Sequence, residues 1–530
     1  MSPRPSRRIV WVLVAVGLVA FGVSVTVLFL ARIPFSVDAL RDRVTEGLEE
    51  RLDSDVELGS LTLRVLPAFR AEGTNLVIRH RRMPDMPPLI TVRGFTVEAD
   101  LGGLFRRNVR RVTLDGLEIQ IPPGEARRTL TGDSGDSDTS EPGTSNGVGD
   151  SAENDVLVEE LIAEDAKVIF VPRDPEKPPK TWEIHDLRMT DVGAHSAMPF
   201  TATVTNAVPP GEIETSGSFG PWETDDPGQT PLSGAFTFTE ADLSVFKGIS
   251  GILSAVGTYG GNLGSIEVQG TTDTPDFAVT VGSSPVHLQA TYLAIVNGTD
   301  GNTRLEHIDA RFLDTRILAV GDVRHTPERK GREVVLDLTL EDSRLEDVLR
   351  LAVNTPEPPM TGALEMQTAF RLPPGDQEVV RKLELDGVFN IDGGRFTNAE
   401  VQQRINGLSQ RARGQQQEEG TMPARVTSDF SGTFELGNGA LSLTPVTFDI
   451  PGAIVELSGR YGLQRETLAF RGNLYMDAKV SQTTTGLKSL ALRLIDPLFR
   501  RNGRTVVPLN VEGTRSDPQF GLDMRRVFRR

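Results

Sequence analysis

Residues 336–340 read LDLTL, with leucine at every second position and Asp337 or Thr339 between. Successive side chains of a β-strand point to opposite faces of its sheet, so this alternation predicts a strand with one apolar and one polar face. The same two-residue period begins near residue 56 and recurs almost to the C-terminus, at 61–65, 383–391, 426–436 and 468–476. The repetition predicts a mainly β fold, built as a long succession of antiparallel strands.

Turn signals separate these strands, and the densest lies in AIVNGTDGNTRLEHIDARFLDTRILAVGDV, residues 294–323. Its Asn297–Thr303 segment can be interpreted as a calcium loop, a glycosylation acceptor or a turn. A calcium loop of the EF-hand type needs ligands at alternate positions and a glutamate twelve residues in, which this segment lacks. Asn297-Gly298-Thr299 is only a formal acceptor match. Asn-Gly and Asp-Gly tolerate positive φ and stand between two strand patterns, so we predict a turn.

The N-terminus carries a membrane-spanning pattern. Residues 9–30, IVWVLVAVGLVAFGVSVTVLFL, contain no charged side chain, and a helix of that length would cover roughly 33 Å, enough to cross a bilayer core. The following Ala31-Arg32-Ile33-Pro34 offers no cleavage site of the signal-peptide type. We therefore predict an uncleaved transmembrane anchor, with the arginine-bearing residues 1–8 in the cytoplasm and the rest of the chain across the membrane.

Helical patterns are few and short. A stripe of apolar residues at three- and four-residue steps predicts a helix over 36–52, with Ser36 as N-cap. Further helices are predicted at 240–253, 342–353, 398–413 and 486–501. The last has apolar side chains on several sides and basic residues between them, so it either lies on a membrane surface or plugs the end of a sheet.

Two polar segments divide the chain. Residues 124–155 contain an acidic tract of small side chains and are predicted to be a disordered linker, and 414–420 are predicted to be a shorter flexible linker. The predicted organisation is therefore an N-terminal helix and the start of a β-groove at 31–123, a central groove at 156–413, and a C-terminal groove with its amphipathic helix at 421–530.

Composition and motifs argue against several function classes. The net charge of −17 is unsuited to nucleic acid, and the absence of cysteine excludes disulfides and thiol chemistry. No two of the six histidines have metal-ligand spacing on a helix. GTSNG, residues 143–147, matches the nucleophile-elbow pattern around Ser145, but it lies inside the acidic tract rather than between a strand and a helix. We expect no enzyme activity, no metal and no cofactor.

The predicted strands present more apolar surface than the few predicted helices could cover. The four short helices predicted after residue 240 would have to shield roughly 25–35 strands of about 5–6 residues, so the sheet is expected to curl around an elongated apolar groove or half-pipe. Acyl chains suit such an interior, since each buried CH₂ contributes about 0.8 kcal/mol. The candidate groove-lining residues are Leu61, Leu63, Val65, Leu336, Leu338, Leu340, Phe430, Phe434, Leu468, Phe470 and Leu474.

The chain resembles the AsmA-like proteins of Gram-negative bacteria from about residue 9 to 524. The resemblance rests on residues 275–323, PDFAVTVGSSPVHLQATYLAIVNGTDGNTRLEHIDARFLDTRILAVGDV, and on the N-terminal order of membrane span, amphipathic helix and strand pair turning at Pro67. The ending VPLNVEGTRSDPQFGLD, residues 507–523, resembles the closing strands of the family. The resemblance implies an inner-membrane anchor, a periplasmic body, a β-groove akin to the chorein-type lipid bridges, and no catalytic residues.

Two functions remain open on this basis. The first is a lipid carrier or conduit that holds phospholipid acyl chains and contributes to their movement towards the outer membrane and to envelope integrity. The second is a structural or assembly factor for outer-membrane proteins, with a closed, dry groove. The expected partners are phospholipid, the inner membrane, and outer-membrane or envelope proteins, and not nucleic acid.

Overall fold

The computed structural model describes residues 37–522, apart from 53, 65–68, 82–86, 101–107, 122–155, 172–178, 194, 224–225, 280–283, 299, 327–328, 330, 354–356, 415–425, 480–499, 502–503 and 516. Strands dominate this part of the chain and helices are few and short, so the mainly β prediction is confirmed. The predicted span at 9–30, the linker at 124–155, residues 415–420 of the second linker and residues 486–499 of the last predicted helix lie outside the described residues. The two remaining residues of that helix prediction, Arg500 and Arg501, form a short strand instead. No helix in the described ranges is both long and apolar enough to span a membrane.

The chain forms two compact units. Unit 1 comprises Met1–Asp242, Leu253–Gly270 and Ile295–Gly301, and unit 2 comprises Leu243–Ile252, Thr271–Ala294 and Asn302–Arg530. Unit 1 holds helix α1 (Val37–Leu52) and, in chain order, β1 (Ser54–Arg64), β2 (Phe69–His80), β3 (Ile90–Ala99), β4 (Asn108–Ile121), β5 (Leu157–Phe170), β6 (Lys180–Val192), β7 (Met198–Ala207), β8 (Pro210–Phe219) and β9 (Pro231–Asp242).

Three strands have residues in both units, and the remainder of the secondary structure belongs to unit 2. The shared strands are β11 (Ile252–Asn262), β12 (Ser265–Val279) and β13 (Val286–Val296), and β10 (Ile249–Ser250) lies in unit 2. Unit 2 continues with β14 (Thr303–Phe312), β15 (Thr315–His325), β16 (Arg332–Arg344), α2 (Leu345–Ala352), β17 (Met360–Leu372), α3 (Val379–Lys382), β18 (Glu384–Phe396), α4 (Ala399–Ala412), β19 (Ser428–Gly437), β20 (Ala440–Ile450), β21 (Ala453–Gly462), β22 (Thr467–Met476), β23 (Arg500–Arg501), β24 (Arg504–Thr514) and β25 (Pro518–Leu522).

Unit 1 is a sheet in which each of β1 to β8 pairs with the next strand, and β9 pairs with β11. The prediction of uniformly antiparallel strands is wrong at one position, because β4 and β5 run parallel, with Val112 beside Leu161. A parallel pair needs a crossover of a dozen residues or more. The connection between β4 and β5, which end and begin at residues 121 and 157, is long enough to supply it.

The core of unit 1 is fully buried from solvent. Val97, Val112 and Leu114 on β3 and β4 have 0% exposure, and Val44 and Leu48 of α1 belong to the same buried cluster. The predicted helix at 36–52 is therefore confirmed as a packing helix, although its proposed N-cap residue lies outside the described ranges. Burial of this completeness shows that the apolar faces of the first strands of unit 1 are covered by the protein itself.

The alternation of buried and exposed side chains slips by one residue in each of β2 to β5, at aligned positions. In β4, for example, Val112 and Leu114 are buried on one parity and Leu117 on the other. The slips follow one ladder, since Thr74 pairs with Gly94 and Gly94 with Asp115. Positive φ values of 53° at Asn75, 61° at Gly116 and 50° at Asp165 accompany them. Such bulge-like irregularities increase the local twist, so this ladder is where the sheet bends.

Unit 2 carries an antiparallel sheet in the order β14 to β22, then β24 and β25, and several of its pairings contain a register shift. Short turns connect most of the strands, as at Asn438-Gly439, where both residues have positive φ. The segment between β13 and β14 is a turn as predicted, with the Gly301 amide donating to the Asn297 carbonyl at 2.7 Å. The sheet is thus built almost entirely from neighbours in sequence.

Two of the predicted helices are confirmed in unit 2 and one is wrong. Helix α2 lies within the predicted 342–353, and α4 lies within 398–413. The prediction at 240–253 fails, because this stretch forms the end of β9, a 3₁₀ turn at Leu243–Val245 and the short β10. Gly248 and Gly251, with φ of +97° and +132°, take the backbone out of the helical region.

Candidate functional site

One face of the unit 2 sheet is apolar along ladders that cross nine strands, β15 to β22 and β24. Each ladder, called a row here, consists of residues that lie side by side in the strand register. Row 1 contains Ile317, Leu340, Met366, Phe389, Gly432, Val446, Leu457, Gly472 and Leu509. Row 2 contains Ala319, Leu338, Thr368, Gly387, Phe434, Leu443, Gly459, Phe470 and Val511. Row 3 contains Gly321, Leu336, Phe370, Leu385, Leu436, Leu441, Tyr461, Leu468 and Gly513.

Helices α2 and α4 cover this face at one end of the strands. Leu345, Val348 and Leu349 of α2 pack on a cluster that includes Leu340 and Leu364. Ile405 and Leu408 of α4 pack on a second cluster. Both clusters hold members of row 1 and of the ladder next to it, which contains Leu364, Ile391, Phe430, Phe448, Val455, Leu474 and Val507.

Rows 2 and 3 remain outside both clusters, and we call them the open strip. Within the described residues, none of its side chains takes part in either helix-covered cluster. Its large apolar side chains are half-buried rather than buried, with the exception of Leu436 at 8% exposure. Two rows about 6.8 Å apart and nine strands about 4.8 Å apart give a strip close to 40 Å long. A hydrocarbon surface of that length is accessible beside a covered one.

Glycines lie directly beside the phenylalanines of the open strip. Phe434 has Gly387 as its cross-strand neighbour on β18, and Phe470 has Gly459 on β21. A Cβ atom at Gly387 would collide with the Gln367 carbonyl oxygen, and one at Gly459 with the carbonyl of Ala469. Only glycine fits these positions, and a Cβ at Gly459 would also lie 2.7 Å from Cδ1 of Phe470, so this ring packs directly against the glycine.

Polar anchors hold the two covering helices in place. The Asp347 carboxylate of α2, only 6% exposed, accepts hydrogen bonds from the Asp314 amide and the Thr315 hydroxyl, both at 3.0 Å. In α4, the Asn398 side chain caps the first turn by accepting from the amides of Glu400 and Val401. These contacts fix the helices at their end of the sheet and keep them off the open strip.

The opposite face of the sheet is polar and charged. Arg371 of β17 lies between Glu333 of β16 and Glu384 of β18, with nitrogen–oxygen distances of 2.8 and 3.1 Å. Hydrogen bonds to these two carboxylates raise the pKa of Arg371. Isolated valines such as Val388, 49% exposed, interrupt this face without forming a row. The sheet is therefore amphipathic, with its apolar surface on one side only.

Tyr461 places one hydroxyl group in row 3 of the open strip. The pKa of this phenol is raised above its usual value, mainly by burial and secondly by the negative charge of the Glu466 carboxylate. Arg515 acts in the opposite direction. The side chain therefore remains protonated at neutral pH and presents a hydrogen-bond donor within row 3, between Leu441 and Leu468.

The structure brings eight of the eleven predicted lining residues onto this face. Five belong to the open strip: Leu336, Leu338, Phe434, Leu468 and Phe470. Leu340 lies in row 1, and Phe430 and Leu474 lie in the helix-covered ladder beside it. Leu61 and Leu63 lie in β1 of unit 1, where Leu61 is 8% exposed and part of the core. Val65 lies outside the described residues.

Several open-strip residues were missed in the sequence. Phe370 follows an alternation in β17 as regular as that of β16, so its signal was present. Leu441 and Leu443 of β20 are harder to find, because the apolar parity changes between Leu443 and Val446. The register shifts at that point on both neighbouring strands, which marks a bulge at Pro445.

Comparisons with known proteins give no match from which a function could be assigned, so the function is argued from the apolar face of the unit 2 sheet. No protein-family model, curated protein or solved structure matches the chain. Across the described ranges, no three histidine, aspartate or glutamate side chains are grouped so that they could hold a metal ion.

Proposed function

We propose that the protein binds phospholipid and holds its acyl chains on the open strip. The observation that carries this proposal is the division of one apolar face into a helix-covered part and a half-buried part. Rows 2 and 3 extend across nine strands, and their large side chains occupy eight of them, from β16 to β24, without a covering helix among the described residues. Hydrocarbon contact would remove this surface from water at about 25 cal/mol per Å².

The proposed cellular setting follows from the sequence. Residues 9–30 would anchor the chain in the inner membrane, with residues 1–8 in the cytoplasm and the β-rich body in the periplasm. The resemblance to the AsmA-like proteins supports this placement. Phospholipid held on the open strip would be shielded while it moves towards the outer membrane, and envelope integrity would depend on that movement.

A pair of adjacent residues gives a direct test. A photoreactive benzophenone side chain is placed at Phe434, on the open strip, or at Glu435, the next residue of β19 on the polar face. The full chain is irradiated in membranes and analysed by mass spectrometry. We expect phospholipid adducts at position 434 and few at position 435, because the two side chains leave the same strand in opposite directions.

The same experiment distinguishes lipid binding from the alternative function. Protein adducts at position 434 in place of lipid adducts would favour a structural or assembly factor for outer-membrane proteins. Equal lipid labelling at 434 and 435 would show only general contact with the bilayer, and it would refute the proposal.

A further inference from the structure

Two lysine side chains converge at the end of the strands where row 3 lies. Lys247 Nζ donates to the Asp376 carbonyl and Lys382 Nζ donates to the Gly375 carbonyl, both at 3.0 Å. These carbonyls belong to consecutive residues, so the two ammonium groups share one short stretch of backbone. Gly248 contributes to this approach, because a Cβ there would lie 3.1 Å from a methyl carbon of Val379.

The lysine pair lies next to the open strip. The connection from β17 to β18 leaves at Leu372, holds both acceptor carbonyls and α3, and enters β18 at Glu384. Phe370 and Leu385, the row 3 residues of these strands, pair with each other at that end. Lys382 precedes Leu385 by three residues, about 10 Å of extended chain at most. Helices α2 and α4 lie at the other end of the strands.

The two ammonium groups form an arrangement that favours an anion. Each has three N–H donors, and the carbonyl bonds described above use one of them. The pKa of Lys382 is lowered, mainly by desolvation and secondly by the positive charge of Lys247. The Asp376 carboxylate acts in the opposite direction. The nearby Glu378 carboxylate forms an ion pair with a different cation, the Arg381 guanidinium, at 4.0 Å. A bound dianion would offset the repulsion between the two lysines.

Exposed apolar side chains accompany the lysines. Val245 and Phe246, which immediately precede Lys247, are 47% and 39% exposed. Apolar groups beside cationic groups match the boundary between the acyl chains and the head group of a lipid.

We propose that Lys247 and Lys382 bind the phosphate of a phospholipid whose acyl chains lie on the open strip. This inference rests on the proposed function and deepens it, because it specifies an anionic phosphate head group and the end of the strip at which it is held. The phosphate would accept hydrogen bonds from the free donors of both ammonium groups, and no covalent step is involved.

The test compares two lipids that differ only in the phosphate. The full chain carries a benzophenone side chain at Leu385 and is purified in dodecyl maltoside without phosphate buffer. Dioleoyl phosphatidic acid or dioleoylglycerol is then added and crosslinked. We expect the phosphatidic acid to label position 385 about fivefold to tenfold more efficiently, as two partly exposed ion pairs would give. The Lys247→Gln/Lys382→Gln variant should reduce the ratio to near one and leave dioleoylglycerol labelling unchanged.

Two matched variants control for charge and folding. Arg404→Gln/Arg411→Gln removes the same charge from α4, at the covered end of the sheet, and should retain the preference. Lys247→Arg/Lys382→Arg retains both positive charges and should keep most of it. Thermal unfolding of each variant identifies any loss of the fold.

Each remaining outcome has a definite meaning. A ratio near one in the unmodified chain, or a full preference in the double glutamine variant, overturns the head-group inference while dioleoylglycerol labelling still supports the proposed function. Absence of labelling by either lipid overturns both. If inorganic phosphate at no more than the lipid concentration abolishes the preference, the lysines bind free phosphate more tightly than a lipid head group, and the inference fails.

Discussion

Replacement of Phe470 by aspartate tests the open strip at its most informative position. Phe470 lies in row 2 between Gly459 and Val511 and belongs to neither helix-covered cluster. The adjacent Ala469 is exposed on the polar face, where it pairs with Arg460. Ala469→Asp therefore introduces the same carboxylate into the same strand, one residue away and on the opposite side.

The expected loss of lipid binding is large for Phe470→Asp and negligible for Ala469→Asp. A half-buried ring still offers on the order of 50 Å² to a ligand, and covering it with hydrocarbon contributes about 1 kcal/mol. A carboxylate facing acyl chains adds a desolvation cost of several kcal/mol. A total of at least about 3 kcal/mol corresponds to roughly a hundredfold weaker binding. The effect on folding should be smaller, about 1–2 kcal/mol, because the ring is outside the buried clusters.

Transfer of a fluorescent phospholipid from donor to acceptor vesicles by the full chain measures the effect. Native mass spectrometry of the same samples counts bound lipid, and thermal unfolding confirms that both variants are folded. If Phe470→Asp transfers lipid as the unmodified chain does, or if Ala469→Asp loses transfer to the same extent, the open strip is not the lipid-binding surface.

Three further substitutions probe what positions the sheet and its helices, each checked by equilibrium unfolding. Asp347→Ala removes the acceptor of the part-buried Asp314 amide and leaves the Thr315 hydroxyl only its longer bond, 3.4 Å, to the Arg344 carbonyl. It should cost about 1–3 kcal/mol, whereas loss of the exposed Arg404–Glu400 pair should cost under about 0.5 kcal/mol; similar losses would contradict the anchoring role of Asp347. Asn398→Ala removes the cap of α4 and should cost about 1 kcal/mol, and an unchanged midpoint would argue against the cap. Burial, and then the facing Asp429, raise the pKa of Asp449. Asp449 is therefore protonated to a greater extent in the folded chain than in the unfolded chain just above pH 3.8, and its contribution to stability falls as pH rises through that window. The lowered pKa values of Asp273 and Asp309 contribute with the opposite sign. Asp449→Asn should remove this slope and stabilise the protein at neutral pH by a few tenths of a kcal/mol; an unaltered pH profile would refute the assignment.

Periodicity alone predicts the strands and the division of their faces. Leu336, Leu338 and Leu340 alternate in the sequence, and the structure places all three on the apolar face of β16. The prediction succeeds because a two-residue period has one structural meaning in an antiparallel strand, and because the strands of unit 2 pair with their neighbours in sequence.

Bulges and glycines limit the same method. The apolar parity of β20 changes at Pro445, so a strict count of every second residue loses either Leu443 or Val446. The stretch at 240–253 has helical spacing, but Gly248 and Gly251 adopt positive φ and turn it into a loop and a short strand. The parallel pairing of β4 and β5 depends on contacts between residues that are distant in sequence, so no local pattern reports it.

The most important distinction, between a residue in a covered core and a residue on an uncovered apolar face, is absent from the sequence pattern. Leu61 and Phe470 both lie on the apolar side of an alternating strand, and both were expected to line a groove. Leu61 is 8% exposed inside the core of unit 1, whereas Phe470 is half-buried and outside the covered clusters. The difference arises from coverage, because helices α2 and α4 extend over only one end of the unit 2 sheet. Since the strands continue beyond the helices with the same apolar residues, the uncovered length is where a hydrocarbon ligand would gain most from binding.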